Sequence, residues 1–331
     1  MLEGIELRSA CWKRGAAVHP INQEQALKFR EEKTGLLWID IIATDPKLAF
    51  STLTEAFSLH PLAVEDALSK NERPGFQEYD NQVFVTLSTI VQKDDEESYP
   101  ELACFLGPHY FITISTERVD CVDRWFERWT RDPKRVGDCS AMLFHAVVDE
   151  AIDAYFPAVD VIETEVDKLE DKVFQNEPVD TQDALRIKHR LLELRRQITP
   201  TRDILNGLLR RGVTVIPDSS RVYLQDAYDH TLRVIENAEL NREVLADLMD
   251  AQLSVISNKL NLVMQFMAAI SIMISSAALL TGVYGMNFDH IPFLHTPGAF
   301  EWFMCIMGGV VVLEASFFWY LGWLKPMKPF R

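Results

Sequence analysis

An α+β soluble module continued by a long stalk helix into the first of two transmembrane helices is the fold class predicted by this 331-residue chain. Three observations predict it. No charged residue occurs from Leu262 to Gly282, ~21 positions, which is the length one helix needs to cross a bilayer. A second apolar run, Trp302 to Leu324, is as long and carries one acid, Glu314, near its middle. The first ~260 residues are instead polar and acidic, enough for one or two domains of ordinary size. Segregation decides the class, because 25% charged residues would suit a soluble protein equally well.

Residues 1–137 read as a cytoplasmic α/β domain. Leu36–Ile42, Val83–Leu87 and Tyr110–Ile114 are β-rich runs. Asp45-Pro46 and His60-Pro61 read as helix starts, where Pro is tolerated in the first turn. Pattern alone does not order the sheet. From residue 138 the strand signals stop, and residues 138–217 read as a helical hairpin. Val159, Ile162, Val166, Leu169 and Val173 make a seam at helical spacing, and Pro157 is expected to kink that helix or mark its restart. A second helix is expected from Asp180 to near Leu209, with Gly212 to Pro217 as the break. Glu163, Glu165, Asp167, Glu170 and Asp171 read as a solvated face.

Residues 218–282 read as one helix. After Pro217 no proline occurs until Pro292 and no glycine until Gly282, and Asp218 or Ser219 can cap the start. Such a helix has ~64 residues and a length of ~95 Å, of which only the last third would lie in lipid. The cytoplasmic part is amphipathic along Leu224, Leu232, Ile235, Leu240, Leu245, Leu248 and Leu253. That stripe calls for partner helices, and the obvious partners are copies of the same chain.

Residues 283–301 form an external loop without Lys or Arg, 302–324 form the second span, and the tail 325–331 carries Lys325, Lys328 and Arg331. Lys and Arg are retained on the cytoplasmic side, so both termini are expected inside. The start shows neither a secretory nor a transit pattern, and a bacterial or archaeal inner membrane fits best. Cys11, Cys104, Cys121, Cys139 and Cys305 lack paired or metal-ligand spacing and read as packing residues.

Counting back from Gly282 in helical steps gives Ala278, Ser275, Ser271, Ala268, Met264 and Asn261, with Asp250 three turns below. A stripe of small residues serves close helix packing as readily as a pore lining. Its ends favour the pore: Asp250 at the foot, Asn261 just inside the membrane and Asn287 at the far mouth. Carboxylates attract cations, and amide oxygens accept hydrogen bonds from water held on an ion. Mg²⁺ releases its water reluctantly, so a ring of Asn287 carbonyls would select the hydrated ion, and Met264 would add a poorly wetted constriction.

Tyr284-Gly285-Met286-Asn287 closing the first span resembles the signature of the CorA family of divalent-cation channels. Further matches are Ser257-Asn258-Lys259-Leu260-Asn261, Tyr228-Asp229-His230-Thr231, and His60-Pro61-Leu62-Ala63-Val64-Glu65-Asp66 with Arg73-Pro74, in the family's order over most of the chain. The resemblance implies a funnel-shaped homopentamer in which the second span forms an outer ring. It implies that Gly285, Met286 and Asn287 form the selectivity filter, that Asn261 and Met264 line the inner pore, and that Asp250 sits near its cytoplasmic mouth. It also implies that Asp226 senses Mg²⁺ at a subunit interface, with Asp94 or Asp95 of the adjoining copy. Facing carboxylates repel until a divalent ion bridges them, so high internal Mg²⁺ would close its own route of influx.

Relatives commonly carry an acid just after the filter, whereas here the run is Phe288-Asp289-His290-Ile291-Pro292. Ser275 stands where some relatives place a bulky apolar pore residue. Glu314 is a candidate intramembrane proton site, since an ionisable group at mid-bilayer is costly and usually functional. The preferred alternative is a structural hydrogen bond to Ser271, Ser275 or Ser276.

The leading function is Mg²⁺ influx, with Co²⁺ and Ni²⁺ competing, gated by internal Mg²⁺. One alternative is a Zn²⁺ transporter coupled to protons, like the related ZntB branch; Met286 argues against it, while Glu314 and His290 keep it open. Another is a membrane-anchored metal sensor or scaffold that conducts little. No phosphate loop, nucleophile elbow or H-E-x-x-H occurs, so no enzyme is expected. His60 and His230 read as packing or capping residues. A net charge of −16 argues against nucleic-acid partners.

Overall fold

The computed structural model describes residues 5–14, 18–69, 74–79, 81–93, 96–137, 139–175, 177–210, 212–286 and 296–324. In chain order the first elements are β1 (Ile5–Trp12), β2 (His19–Pro20), α1 (Gln23–Glu32), β3 (Leu36–Ala43), α2 (Pro46–Glu55) and α3 (Pro61–Leu68). Next come β4 (Gly75–Tyr79), β5 (Gln82–Ser88), β6 (Val91–Lys93), β7 (Glu96–Ser98), β8 (Glu101–Leu106) and β9 (Tyr110–Ser115). Helices α4 (Asp120–Arg131), α5 (Ser140–Asp153), α6 (Tyr155–Phe174), α7 (Thr181–Arg210), α8 (Asp218–Tyr284) and α9 (Ala299–Tyr320) follow. The chain forms two compact units: residues 1–168 with 180–245, and residues 169–179 with 246–331.

The first unit is built on a seven-stranded sheet of order β2-β1-β3-β9-β8-β5-β4. β3 and β9 pair in parallel, and the other neighbours pair antiparallel. Successive side chains of β3 point to opposite faces. Leu37, Ile39, Ile41 and Ala43 join Ala49, Leu53, Ala63 and Val64 of α2 and α3 in one apolar cluster. On the other face Trp38 packs at ring-centroid distances of 5.1 Å on Phe126 and 5.9 Å on Trp129 of α4. Both faces of β3 are therefore covered, as its near-continuous apolar run requires.

One carboxylate enters that core. Asp40 accepts hydrogen bonds from Arg8 Nε at 2.7 Å and Thr113 Oγ1 at 2.6 Å. Burial raises its pKa, against the opposing pull of Arg8. Arg8 also pairs with Asp123 of α4, so the network ties β1, β3 and α4 together. Local chemistry sets the helix starts: Asp45 accepts from Lys47 N at 2.9 Å and Pro46 opens α2, while Pro61 opens α3.

Pro157 lies in the first turn of α6, so the helix restarts there. α7 contains Pro200 in its interior, and Thr199 Oγ1 donates to the Arg195 carbonyl at 2.7 Å in that turn. Arg190 of α7 donates to Glu97 Oε1 at 2.7 Å and to Glu165 Oε1 at 2.6 Å, joining β7 and α6.

Helix α8 starts at Asp218 and runs unbroken to Tyr284. One expectation is corrected here. Leu224, Ala227, Val234, Ala238 and Leu245 of the stalk are buried within the chain itself, so its own helices supply part of the cover expected from other copies. Leu240 and Leu253 remain 60% and 62% exposed and still need a partner.

In the second unit α8 and α9 are both long and apolar enough to cross a membrane. α9 begins at Ala299 and ends at Tyr320, three to four residues before the apolar run that predicted it. Gly298 at φ 84° and Gly322 at φ 83° bracket it, so left-handed glycines, not hydropathy, set its ends. The cysteines are free thiols; Cys11, Cys104 and Cys121 are buried, whereas Cys305 is exposed on α9 and does not pack.

Candidate functional site

Two groups of residues carry the chemistry, one in each unit. In the second unit, Asn261, Met264, Ala268, Ser271, Ser275 and Ala278 are all exposed along α8, and Asp250 is exposed on the same line below them. Met264 is 61% exposed. At 100° per residue the stripe is centred ~140° around the helix from the face carrying Ala269, Met273, Ser276 and Leu280. That opposite face is the covered one: Ala269 is fully buried, and Ser276 Oγ donates to Glu314 Oε2 of α9 at 2.8 Å. At the outer end Tyr284 packs on Phe303 with centroids 4.7 Å apart. α9 thus engages one side of α8 and leaves the polar stripe uncovered on the other.

Ser276 alone among the three candidate serines meets Glu314; Ser271 and Ser275 lie on the stripe instead. The bond is interhelical, of the kind that holds spans together for about 1 kcal/mol. Of the residues expected to form the filter, Gly285 and Met286 are described. Gly285 N donates to the Thr281 carbonyl at 2.9 Å, Met286 N to the Val283 carbonyl at 3.4 Å, and Met286 is 52% exposed. Asn287, Asp289 and His290 lie outside the described residues.

In the first unit Asp226 is not alone. Asp149 of α5 and His230 of α8 present ligand atoms that, with that of Asp226, all lie within 4.8 Å of one another. His230 Nδ1 is 3.4 Å from Asp149 Oδ1 and 3.6 Å from Asp153 Oδ1, and its Nε2 is 3.9 Å from Asp226 Oδ1. Asp149 Oδ1 and His230 Nδ1 are buried and lack hydrogen-bond partners among the described residues. Two carboxylates and an imidazole at this spacing can hold a divalent cation, with oxygen serving Mg²⁺ and nitrogen admitting Co²⁺, Ni²⁺ or Zn²⁺. His145, one turn before Asp149, has its pKa lowered by burial, against the opposing charges of Asp149 and Asp226. Burial and the neighbouring Asp149 push the Asp153 carboxyl above its ordinary value.

The reading of His230 as a packing or capping residue is therefore corrected: its ring sits among three carboxylates. The signal was present in the sequence as His145, Asp149 and Asp153 at four-residue intervals on one helix and Asp226 with His230 at the same interval on another. Nothing in the sequence showed that these two helices face each other. Asp94 and Asp95, the suggested partners of Asp226, lie outside the described residues.

The model of the CorA-like Mg²⁺ transporter protein family matches residues 33–321, most of the soluble module and both spans. This chain belongs to the CorA-like family. It is 29% identical over 306 residues to the cobalt/magnesium transport protein CorA of Thermotoga maritima, covering 91% of this chain and 87% of that one. Its identity to the protein of the same name from Methanocaldococcus jannaschii is 24% over 317 residues, covering 94% and 98%. The complete structure of the CorA magnesium transporter from M. jannaschii superposes with a TM-score of 0.80 at 21% identity, over 96% of this chain and 98% of that one. The ZntB cytoplasmic domain from Vibrio parahaemolyticus superposes with a TM-score of 0.62 at 13% identity, over 76% and 99%. The fold is thus that of CorA: an α+β soluble domain, a long helix and two transmembrane helices. The chain is a divalent-cation transporter and not an enzyme.

Proposed function

We propose that this CorA-like protein carries Mg²⁺ into the cytoplasm, with Co²⁺ and Ni²⁺ as competitors, through a pore shared by five identical copies in a bacterial or archaeal inner membrane. The observation that carries this reading is the uncovered stripe from Asp250 to Ala278, opposite the face that α9 engages. Polar side chains in lipid are costly, whereas around a common axis they line a wet conduit. Copies of α8 meeting along the stripe would place Asn261 and Met264 around one lumen, with the Gly285-Met286-Asn287 filter at its outer mouth. Leu240 and Leu253, exposed on the single chain, support contact between copies.

The same reading makes the Asp149, Asp226 and His230 group the internal ion sensor. Occupied, it holds neighbouring elements together; empty, its carboxylates repel and the assembly loosens. The acids at Asp94 and Asp95 of an adjoining copy would complete it.

Uptake into proteoliposomes under an inside-negative potential tests the function. Mg²⁺ should enter, external Co²⁺ and Ni²⁺ should compete, and a proton gradient should change neither rate. Glu314→Gln should conduct like the parent, because Glu314 bonds to Ser276 on the side of α8 away from the stripe. Flux that tracks the proton gradient and dies in Glu314→Gln would establish the proton-coupled Zn²⁺ reading instead. A protein that binds Mg²⁺ but conducts none would be a sensor or scaffold.

A further inference from the structure

The soluble unit holds a cavity of about 660 Å³ between the end of α1, the α2–α3 connection, the β4–β5 turn and the β8–β9 turn. Arg30 and Lys33 bring positive charge to it, the imidazoles of His60 and His109 line it beside them, and no Asp or Glu is among the described residues lining it. None of the four forms an ion pair with a described carboxylate. Burial, and after it the charge of nearby Asp66, raises the pKa of the Tyr79 hydroxyl, but the Asp66 carboxylate takes a hydrogen bond from Gln77 and does not line the cavity.

The walls are flat as well as basic. The His60 ring stacks on Tyr79 at 4.1 Å with 18° between planes, and the Arg30 guanidinium lies 4.4 Å over the Tyr110 ring. Arg30 also donates to the Phe57 carbonyl, which accounts for its own position. His60 Nδ1 is buried with no hydrogen-bond partner among the described residues. Lys33 holds a left-handed backbone at φ 52° on the rim. His60 also precedes α3 without capping it, and since Pro61 has no N–H the amides this leaves open to an anion are those of Leu62 and Ala63.

We propose that this cavity binds a nucleoside phosphate. Lys33, His109 and the first turn of α3 answer the phosphates, and the His60–Tyr79 stack answers the base. The volume falls within the range of pockets that enclose a drug-sized ligand and far exceeds what a lone inorganic anion fills. Charge-assisted hydrogen bonds from cations, plus stacking on aromatic rings, are how proteins hold such a ligand.

The test is equilibrium dialysis of the full chain in detergent against ATP, pyrophosphate and adenosine, with EDTA present so that no metal bridges ligand to protein. ATP should bind, and pyrophosphate and adenosine should each bind at least about tenfold more weakly. Lys33→Glu and His109→Gln should each weaken ATP about tenfold, with thermal unfolding confirming that both variants fold. No ATP binding by the parent at millimolar concentration would overturn the proposal, and so would pyrophosphate binding as tight as ATP or full affinity in Lys33→Glu. The readout is binding and not flux, so its failure leaves the transport reading untouched.

Discussion

Asn287→Ala abolishes selective Mg²⁺ uptake while the purified protein keeps its oligomeric size. On the proposed pore reading the carboxamide would meet the hydrated ion at the outer mouth. A hydrogen bond to a charged species is worth about 1.5–3 kcal/mol, so losing a ring of them should cost on the order of 100-fold or more in uptake. Among the described residues α8 meets α9 through Ser276 and Tyr284, which the substitution leaves in place. Uptake measured beside size-exclusion chromatography separates the outcomes. Mg²⁺ flux and ion preference that survive the substitution would remove Asn287 from the filter.

The second large effect concerns the sensor. Mg²⁺ added to the protein should raise its thermal midpoint, since an ion bound only by the folded state contributes about 2.7 kcal/mol at 100 times its dissociation constant. In a chain of this size that is a rise of several degrees. Asp149→Asn combined with Asp226→Asn should erase the shift and leave uptake running when lumenal Mg²⁺ is high. The double variant should be stable without metal, because the change also removes the repulsion between the two carboxylates. Retention of both the midpoint shift and the shut-off would place the sensing ion elsewhere.

Much of the fold was legible in the sequence where one local rule dominates. The β-rich runs at Leu36, Val83 and Tyr110 became β3, β5 and β9 because both their faces are buried. α8 starts at Asp218, as the end of the proline-containing break implied. Where a choice depends on distant partners the sequence was silent. The parallel pairing of β3 with β9 brings together residues such as Asp40 and Thr113, and no local pattern encodes that. Copies of the chain were the obvious partners for the stalk stripe because a single helix cannot show that its own chain folds back over Leu224 and Leu245.

The candidate site divides in the same way. The stripe from Asn261 to Ala278 follows from helical periodicity alone, and the single chain does leave it uncovered. The grouping of Asp149 and His230 with Asp226 does not follow, since it depends on α5 facing α8 across ~75 residues of sequence. A histidine considered by itself gives no hint of three carboxylates around its ring.

The tie between Ser276 and Glu314, together with the tilted ring contact of Tyr284 on Phe303, fastens the two spans at mid-depth and again at the outer end. Two fastenings make the pair a single lever, because sliding one helix along the other would break both at once. If copies of α8 line a common conduit as proposed, widening it takes whole two-helix staves leaning apart, as in a barrel whose hoop is loosened, and the lipid around the outer helix would be displaced with every stroke.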